Sequence, residues 1–507
     1  MYAKVNTCSL QGLDGHLVEV ETDLTQGLPK LTIVGLPDAA IREAGERVRS
    51  AIKNSAFEYP MSRITINLSP ANLKKDGSQM DLAIAMSILM ASGHIKAQNL
   101  DQWVFLGELQ LNGKIGPIIG ALPMVISLRE AGIKGCLVPK ANEKECAVVA
   151  DMEIFAVDSL KEVVEFLNQE RDLPRSYVEN PLEDRRQDSL DFADIRGQDQ
   201  VKRAMEIAAA GAHNLLMIGP PGSGKSMSAK RLPSILPALS FEEAIEVTKI
   251  YSVAGLLEDK KLMTRRPFRA PHHTASSVAL IGGGAIPKPG EISLSHQGVL
   301  FLDELPEFQS KVLEVLRQPM EDGTIHISRA NASLTYPSNF QLVAAMNPCP
   351  CGNYKNPHQA CTCSMSAINR YLSKISHPLL DRMDLHVEVS PVDYKDLSGK
   401  EKGESSASIR QRVEVARDRQ KARYKGEAFS CNAHLPDRLI PVHCQLKPSS
   451  QKILELAFKK YKFSGRTYNK LLKLARTIAD LAQRETIEDQ DLLEALQFRS
   501  LESKYWG

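Results

Sequence analysis

The 507-residue sequence lacks a charge imbalance: 63 basic residues stand against 61 acidic ones, a formal net charge of +2. Such a balance neither demands nor excludes nucleic acid, and any DNA contact must come from local patches. A long apolar run is missing as well; the longest, around Leu82 to Ala91, is too short to cross a bilayer and fits a core helix. The N-terminus lacks the basic, apolar and small-residue succession of a secretion signal. The nine cysteines lack the layout of a secreted disulfide framework, because four of them crowd into residues 349–363. Short-period repeats and low-complexity tracts are absent. What remains is the expectation of a cytoplasmic globular protein, ordinary in its hydrophobic share of 43% and charged share of 24%, and long enough for two or three domains.

The most informative stretch that is present runs Gly219, Pro220, Pro221, Gly222, Ser223, Gly224, Lys225, Ser226, which fits GxxxxGK[ST] at every fixed position. Leu215 to Ile218 before it reads as a buried strand, and the residues after Lys225 can open a helix, the context a phosphate loop needs. The pattern predicts ATP binding: glycines let backbone N–H groups close on phosphates, Lys225 neutralises the β and γ phosphates, and the Ser226 hydroxyl ligates Mg²⁺. Val299 to Leu302 followed by Asp303 and Glu304 reads as a central parallel strand ending in two carboxylates. Asp303 is the expected Mg²⁺ holder and Glu304 the group that orients and deprotonates the attacking water.

Composition divides the chain into blocks. Residues 1–170 alternate β-rich runs (Leu17 to Glu21, Leu31 to Val34, Ile64 to Leu68) with helical stretches such as Ala39 to Asn54, an α/β or α+β module. A polar, proline-bearing linker containing Arg185, Arg186 and Gln187 occupies 171–190. The ATPase core is expected over 191–393 and a largely helical domain over 394–507, with helices around Ile453 to Ala457 and Leu471 to Leu481 and a third whose capped start is Thr486 with Asp489. The helical domain reads as a lid over the nucleotide.

Asp194 to Gln198 before the phosphate loop, the acidic pair, and Asn347 after Gln341 to Met346 together resemble an AAA+ ATPase. The resemblance implies an α/β fold with a parallel sheet and makes Asn347 the sensor 1 residue that sets water against the γ-phosphate; the plain alternative is a turn asparagine before Pro348. The segment Phe268 to Ser295 is similar to the helix-2 insert of the magnesium-chelatase and minichromosome-maintenance branch. Gly282 to Gly284 with Pro287, Lys288 and Pro289 suit a hairpin tip in a ring pore, and Thr324 to Thr335 with Arg329 matches the pre-sensor hairpin. Lys288 and Arg329 are candidates for a DNA backbone contact, or equally for a salt bridge. His272 and His273 read as insert packing or a contact across subunits rather than as metal ligands. Leu379 to Asp384 resembles the segment supplying an arginine finger in trans, Arg382, and Ser464 to Arg466 resembles the sensor 2 motif; the first implies a ring, expected to be a hexamer.

Cys349, Cys351, Cys361 and Cys363 form two C-x-C pairs nine residues apart, a set suited to structural Zn²⁺ with His358 as a substitute ligand, against unliganded or redox-active thiols. Ala344 to Gly352 with the second C-x-C is similar to the YifB/ComM family, which implies a hexameric helicase acting on single-stranded or branched DNA, promoting branch migration in recombination and natural transformation. Lys75 to Asp81 and Gly107 to Gly120 resemble the proteolytic domain of Lon. The nucleophile position holds Gln79, however, Ser78 is one place early, and Pro123 stands where the lysine is expected, so an inactive domain is the reading. A magnesium-chelatase-like remodeller of a partner protein and, behind it, an ATP-dependent protease are the alternatives.

Overall fold

The computed structural model describes residues 1–97, 100–179, 182, 190–257, 262–284, 287–329, 332–356, 359–391, 403–461 and 463–506. Arg185 to Gln187, His358 and the expected boundary at 394 lie outside the described residues, as does the side chain of Arg329.

Alternation builds the first sheet. In Arg63–Ser69 the side chains of Ile64, Ile66 and Leu68 are buried while those between them are less so, the period of two that a strand with one covered face requires. Eight strands follow the order Arg175–Ser176, Glu153–Val157, Gly135–Pro139, Trp103–Phe105, Tyr2–Gln11, Asp14–Thr25, Arg63–Ser69, Lys30–Val34. The helix Ala39–Asn54 has the bounds expected, opened by the Asp38 carboxylate, which accepts from Ile41 N at 2.8 Å. The apolar run near Leu82 becomes Asp81–Ala91, buried on nearly every side. This α+β domain is docked on the next one. Met124 and Val125 share an apolar cluster with Ala244, Val247 and Ile250, and Ser252 Oγ donates to Glu145 at 2.6 Å.

The second sheet is wholly parallel, in the order Phe268–Arg269, Val299–Leu302, Gln341–Met346, Leu215–Ile218, Leu385–Glu388. Its central strands are apolar at every position because both faces are covered. Leu215, Met217, Val299, Phe301, Val343 and Ala345 enter the core shared with the C-terminal helices. Their neighbours Leu216, Ile218, Leu300, Leu302, Leu342 and Ala344 enter a core shared with the hairpins.

The helical domain comprises Ser406–Arg423, Pro448–Tyr461, Gly465–Leu481, Asp489–Gln497 and Leu501–Trp506, with shorter turns between. Two expectations need correction. The third helix is opened by the reciprocal pair Glu488 and Asp491 rather than by Thr486 with Asp489, because Glu488 is the residue whose extended backbone precedes the first helical turn. The helix Gly465–Leu481 does not lie across the phosphate loop: His213, which it meets through Thr477 at 2.7 Å, and Asp384, which pairs with Lys470 at 3.0 Å, both precede strands of the sheet. It therefore occupies the edge opposite the strands' C-terminal ends, about 13 Å away along four residues of strand.

Asp384 anchors that edge. Its carboxylate accepts from Asn214 N at 3.0 Å and pairs with Lys470 at 3.0 Å and His213 at 3.5 Å. Burial would raise its pKa, but the Lys470 ammonium and then His213 overcome this and hold it well below the usual carboxylate range. A depressed folded value adds stability above the unfolded pKa and loses it as pH falls through the folded one. Asp384→Ala, which leaves Lys470 unpaired, should lower the unfolding free energy by about 3 kcal/mol at neutral pH. In urea titrations the deficit should begin to shrink only below about pH 4.

Candidate nucleotide site and cysteine centre

Register alone assembles the first site. Leu302 pairs with Ala344, and Ala344 with Leu216, so Asp303, Asn347 and the phosphate loop leave adjacent strands on the same edge. Gly219 N donates to Met346 O at 3.1 Å. Gly224, at φ 88°, makes the left-handed step from which the helix Lys225–Arg231 starts. Lys225 is buried, and its Nζ donates to Gly219 O and Pro220 O, both at 2.7 Å, and to Asn347 Oδ1 at 3.1 Å. Burial lowers its pKa to about 8, opposed by Asp303 and Glu304. Ser226 Oγ donates to Asp303 Oδ2, the hydroxyl and carboxylate that a Mg²⁺ ion would bridge. Glu304 stands at φ 50° with its N–H held by Asp303 Oδ1 at 2.9 Å. Lys225, Ser226, Asp303 and Asn347 thus meet at one sheet edge, and the set fits a magnesium-bound triphosphate.

The four cysteine sulfurs lie within 4.8 Å of one another. Separations of 3.4 Å (Cys349 to Cys351), 3.7 Å (Cys349 to Cys361) and 3.6 Å (Cys351 to Cys361) compare with about 3.8 Å along the edge of a tetrahedron with 2.3 Å zinc–sulfur bonds. Tyr354 N and Cys363 N point at Cys349 Sγ and Cys361 Sγ, at 3.3 and 3.4 Å. Backbone N–H groups of Asn353 and Thr362 bring Cys351 down to about 5, a thiolate at neutral pH. The donor set fits Zn²⁺. The centre also touches the nucleotide site. Gly352, at φ 83°, abuts Pro221 so closely that a Cβ would stand 2.4 Å from its Cδ.

Arg382 and Arg466 do not join this cluster within one chain. Both line a cavity of about 1100 Å³ at the opposite sheet edge, together with Arg266, Arg417, Lys470 and Lys473. Arg382 pairs there with Glu321 and donates to Pro378 O at 2.6 Å. Lys288 is exposed on the hairpin formed by Gly282–Gly283 and Lys288–Pro289, and makes no ion pair among the described residues. The second hairpin pairs Thr324–Arg329 with Ala332–Pro337.

The sequence matches the family described as magnesium chelatase, subunit ChlI, over residues 191–397, that described as subunit ChlI of Mg-chelatase over 20–142, and the ChlI C-terminal family over 403–499. It is 44% identical over 494 residues to the competence protein ComM of Haemophilus influenzae, spanning 97% of this chain and 96% of that one. Against the uncharacterized protein YifB of Escherichia coli it is 44% identical over 504 residues, 98% and 97% of the two chains. The chain belongs to the YifB/ComM family. The magnesium-chelatase 38 kDa subunit of Cereibacter sphaeroides is a more distant relative, 25% identical over 174 residues, 31% of this chain and 52% of that subunit. YifB/ComM membership makes the chain a magnesium-chelatase-like AAA+ ATPase.

In the N-terminal domain of this YifB/ComM chain, Ser78 Oγ donates to the Glu108 carboxylate. Lys75, the lysine nearest to it in sequence, is fully buried with its Nζ on Pro70 O, and Pro123 lies inside the helix Ala121–Glu130. Two sets of residues escaped sequence reasoning. His273 Nδ1 lies 3.1 Å from Glu304 Oε2, although a histidine pair had suggested packing or an intersubunit contact. The C-terminal helix braces the cysteine centre: Lys504 and Tyr505 hold Glu388 at 2.7 and 2.9 Å, and Tyr505 faces Tyr354. No periodicity announces either contact.

Protein purified without chelator should carry one zinc per chain by elemental mass spectrometry, and Cys351→Ser should reduce that content. Gly352→Ala, which forces the cysteine loop against Pro221, should weaken binding of a fluorescent ATP analogue about tenfold. An unchanged affinity would separate the two sites.

Proposed function

We propose that this chain is an ATP-driven DNA motor of the cytoplasm, a hexameric ring helicase that moves branch points on single-stranded or branched DNA during homologous recombination and natural transformation. The observation that carries the reading is the meeting of Lys225, Ser226, Asp303 and Asn347 at one sheet edge, on a chain alike over nearly its whole length to a protein named for competence. Lys225 would hold the β and γ phosphates, and Ser226 and Asp303 would hold Mg²⁺, which when bound would supply neutralising charge at those phosphates. Asn347 positions the attacking water, and Glu304 accepts its proton. Arg382 and Arg466 act on the nucleotide of an adjacent subunit, since both belong to the opposite edge of their own sheet. Lys288 and Arg329 contact the DNA backbone from the two hairpins, and Cys349, Cys351, Cys361 and Cys363 hold a structural zinc.

The second reading, a magnesium-chelatase-like remodeller of a partner protein, is favoured by the ChlI description attached to all three matched segments. Because one of those segments is 20–142, the N-terminal domain does not separate the two readings. A protease is disfavoured by the Ser78 environment, which offers a carboxylate where a lysine base is required.

ATP hydrolysis by the wild-type protein should rise with a branched DNA junction and vanish in Glu304→Gln; an unchanged rate in an assembled, hydrolysing ring transfers the case to protein remodelling. Lys288→Ala should weaken DNA binding evenly across sequences and lower the salt slope by about one. Lys225→Ala and Arg382→Ala should each be inactive alone, yet mixing them should restore hydrolysis at the junctions that unite an intact loop with an intact arginine. Full activity in assembled Arg382→Ala protein would defeat the trans assignment.

A further inference from the structure

The helix Leu501–Trp506 runs along the outer strand Leu385–Glu388 of the parallel sheet, from the strand's start to its end. At the start, His386 N donates to Phe498 O at 2.8 Å, and the buried guanidinium of Arg499 donates to Met383 O and to Glu502, both at 2.6 Å. At the end, Lys504 Nζ and Tyr505 Oη donate to Glu388 at 2.7 and 2.9 Å. One residue further on, Val389 N donates to Ile218 O at 2.8 Å, and a Cβ on Gly219 would stand 2.3 Å from Val389 O. The helical domain is thus strapped along the edge strand to the first residue of the phosphate loop.

Two parts of the cysteine region grip this strap. Between the cysteine pairs, Tyr354 faces Tyr505 with ring centroids 6.4 Å apart. Beside it, Lys355 Nζ donates to Lys504 O and lies 5.2 and 5.7 Å from the centres of the Tyr354 and Tyr505 rings. Beyond the second pair, the helix Met365–Leu372 offers Leu372 O to Trp506 Nε1 at 3.4 Å. The two grips are separated in sequence by Cys361 and Cys363, so their relative position depends on how the sulfurs are brought together. Little else sets it. From Cys349 to Cys363 the sequence has no Val, Ile, Leu, Met, Phe or Trp with which to build a core of its own. Lys355 also stands at φ 60°, a left-handed backbone that a lysine keeps only where its surroundings impose it. In a segment so poor in apolar side chains, metal binding supplies the free energy of ordering.

We propose that metal held by Cys349, Cys351, Cys361 and Cys363 locks the helix Leu501–Trp506 in place, so that zinc occupancy governs whether the helical domain stays tied to the nucleotide edge. This rests on the reading of the four cysteines as a zinc site. It goes further by giving that ion a regulatory consequence and naming the residues, Tyr354 and Lys355, that carry it. Linkage makes the effect mutual: zinc that stabilises the docked helix is itself bound more tightly, by the same factor, when the helix is docked.

The chain has two tryptophans, Trp103 and Trp506, so proteins with a single tryptophan report on each end separately. In Trp103→Phe, removal of zinc by a chelator should shift Trp506 emission to the red and raise its quenching by acrylamide, and added Zn²⁺ should reverse both. In Trp506→Phe, the emission of Trp103, on the first sheet, should stay unchanged. Tyr505→Ala, which removes no zinc ligand, should raise the zinc dissociation constant about tenfold in competition with a chromogenic chelator. Lys355→Ala, at an exposed position, should move it in the same direction. Zinc-loaded protein whose Trp506 ignores the chelator, a Trp103 that responds as strongly, or wild-type zinc affinity in both variants would overturn the proposal. Wild-type protein that binds no zinc removes the metal reading beneath it, and the lock with it.

Discussion

Parallel pairing in one register is the constraint on which the rest depends. With Leu302 beside Ala344 and Ala344 beside Leu216, three strands must release their following residues at the same edge. Those residues are the acidic pair, Asn347 and the phosphate loop. A slip of one residue would turn each strand's apolar side chains to the other face and split both cores, since alternate residues of the same strands belong to separate clusters. The geometry of that edge is thus secured by burial of a dozen apolar side chains on the two faces of the sheet.

The same constraint fixes what each edge can do. The cysteine loop leaves from a strand end next to the site: Asn347 lies two residues before Cys349, and Gly352 rests on Pro221. The opposite edge holds a wide cavity lined by seven basic and seven acidic side chains, Arg382 and Arg466 among the basic ones. The phosphate loop at one edge and Arg382 and Arg466 at the other stand on opposite sides of the same sheet.

Much of this was legible in the sequence because phosphate binding demands particular residues at fixed spacing. Gly219 to Ser226 left little freedom, and Val299 to Glu304 could be placed by its four apolar residues alone. Strands and helices with strong periodicity, such as Ile64, Ile66 and Leu68, or Ala39 to Asn54, came out where expected. The misplaced features were those set by tertiary packing. Where the helix of Arg466 lies depends on Thr477 meeting His213, 264 residues away. That His273 reaches Glu304 depends on how the insert folds back, which no local pattern encodes. The start at Glu488 was missed for another reason: Thr486 and Glu488 are both capable caps, and the choice falls to the residue whose extended backbone precedes the first turn.

Arg382 shows how such a site can be both stable and available. Within its own chain the guanidinium is held by Glu321 and Pro378 O, yet its Nε has no partner, and the Glu321 side chain is 58% exposed. The pair is open to water on the Glu321 side alone, since the Arg382 side chain is 12% exposed, and a guanidinium directed at a phosphate forms charge-assisted bonds of about twice the strength of neutral ones. In the proposed trans role Arg382 would exchange Glu321 for a phosphate supplied by a neighbour. An arginine locked into a buried pair, as Arg476 is with Asp480, could not make that exchange. A partner open to water is what would suit Arg382, rather than Arg476, to the proposed role in trans.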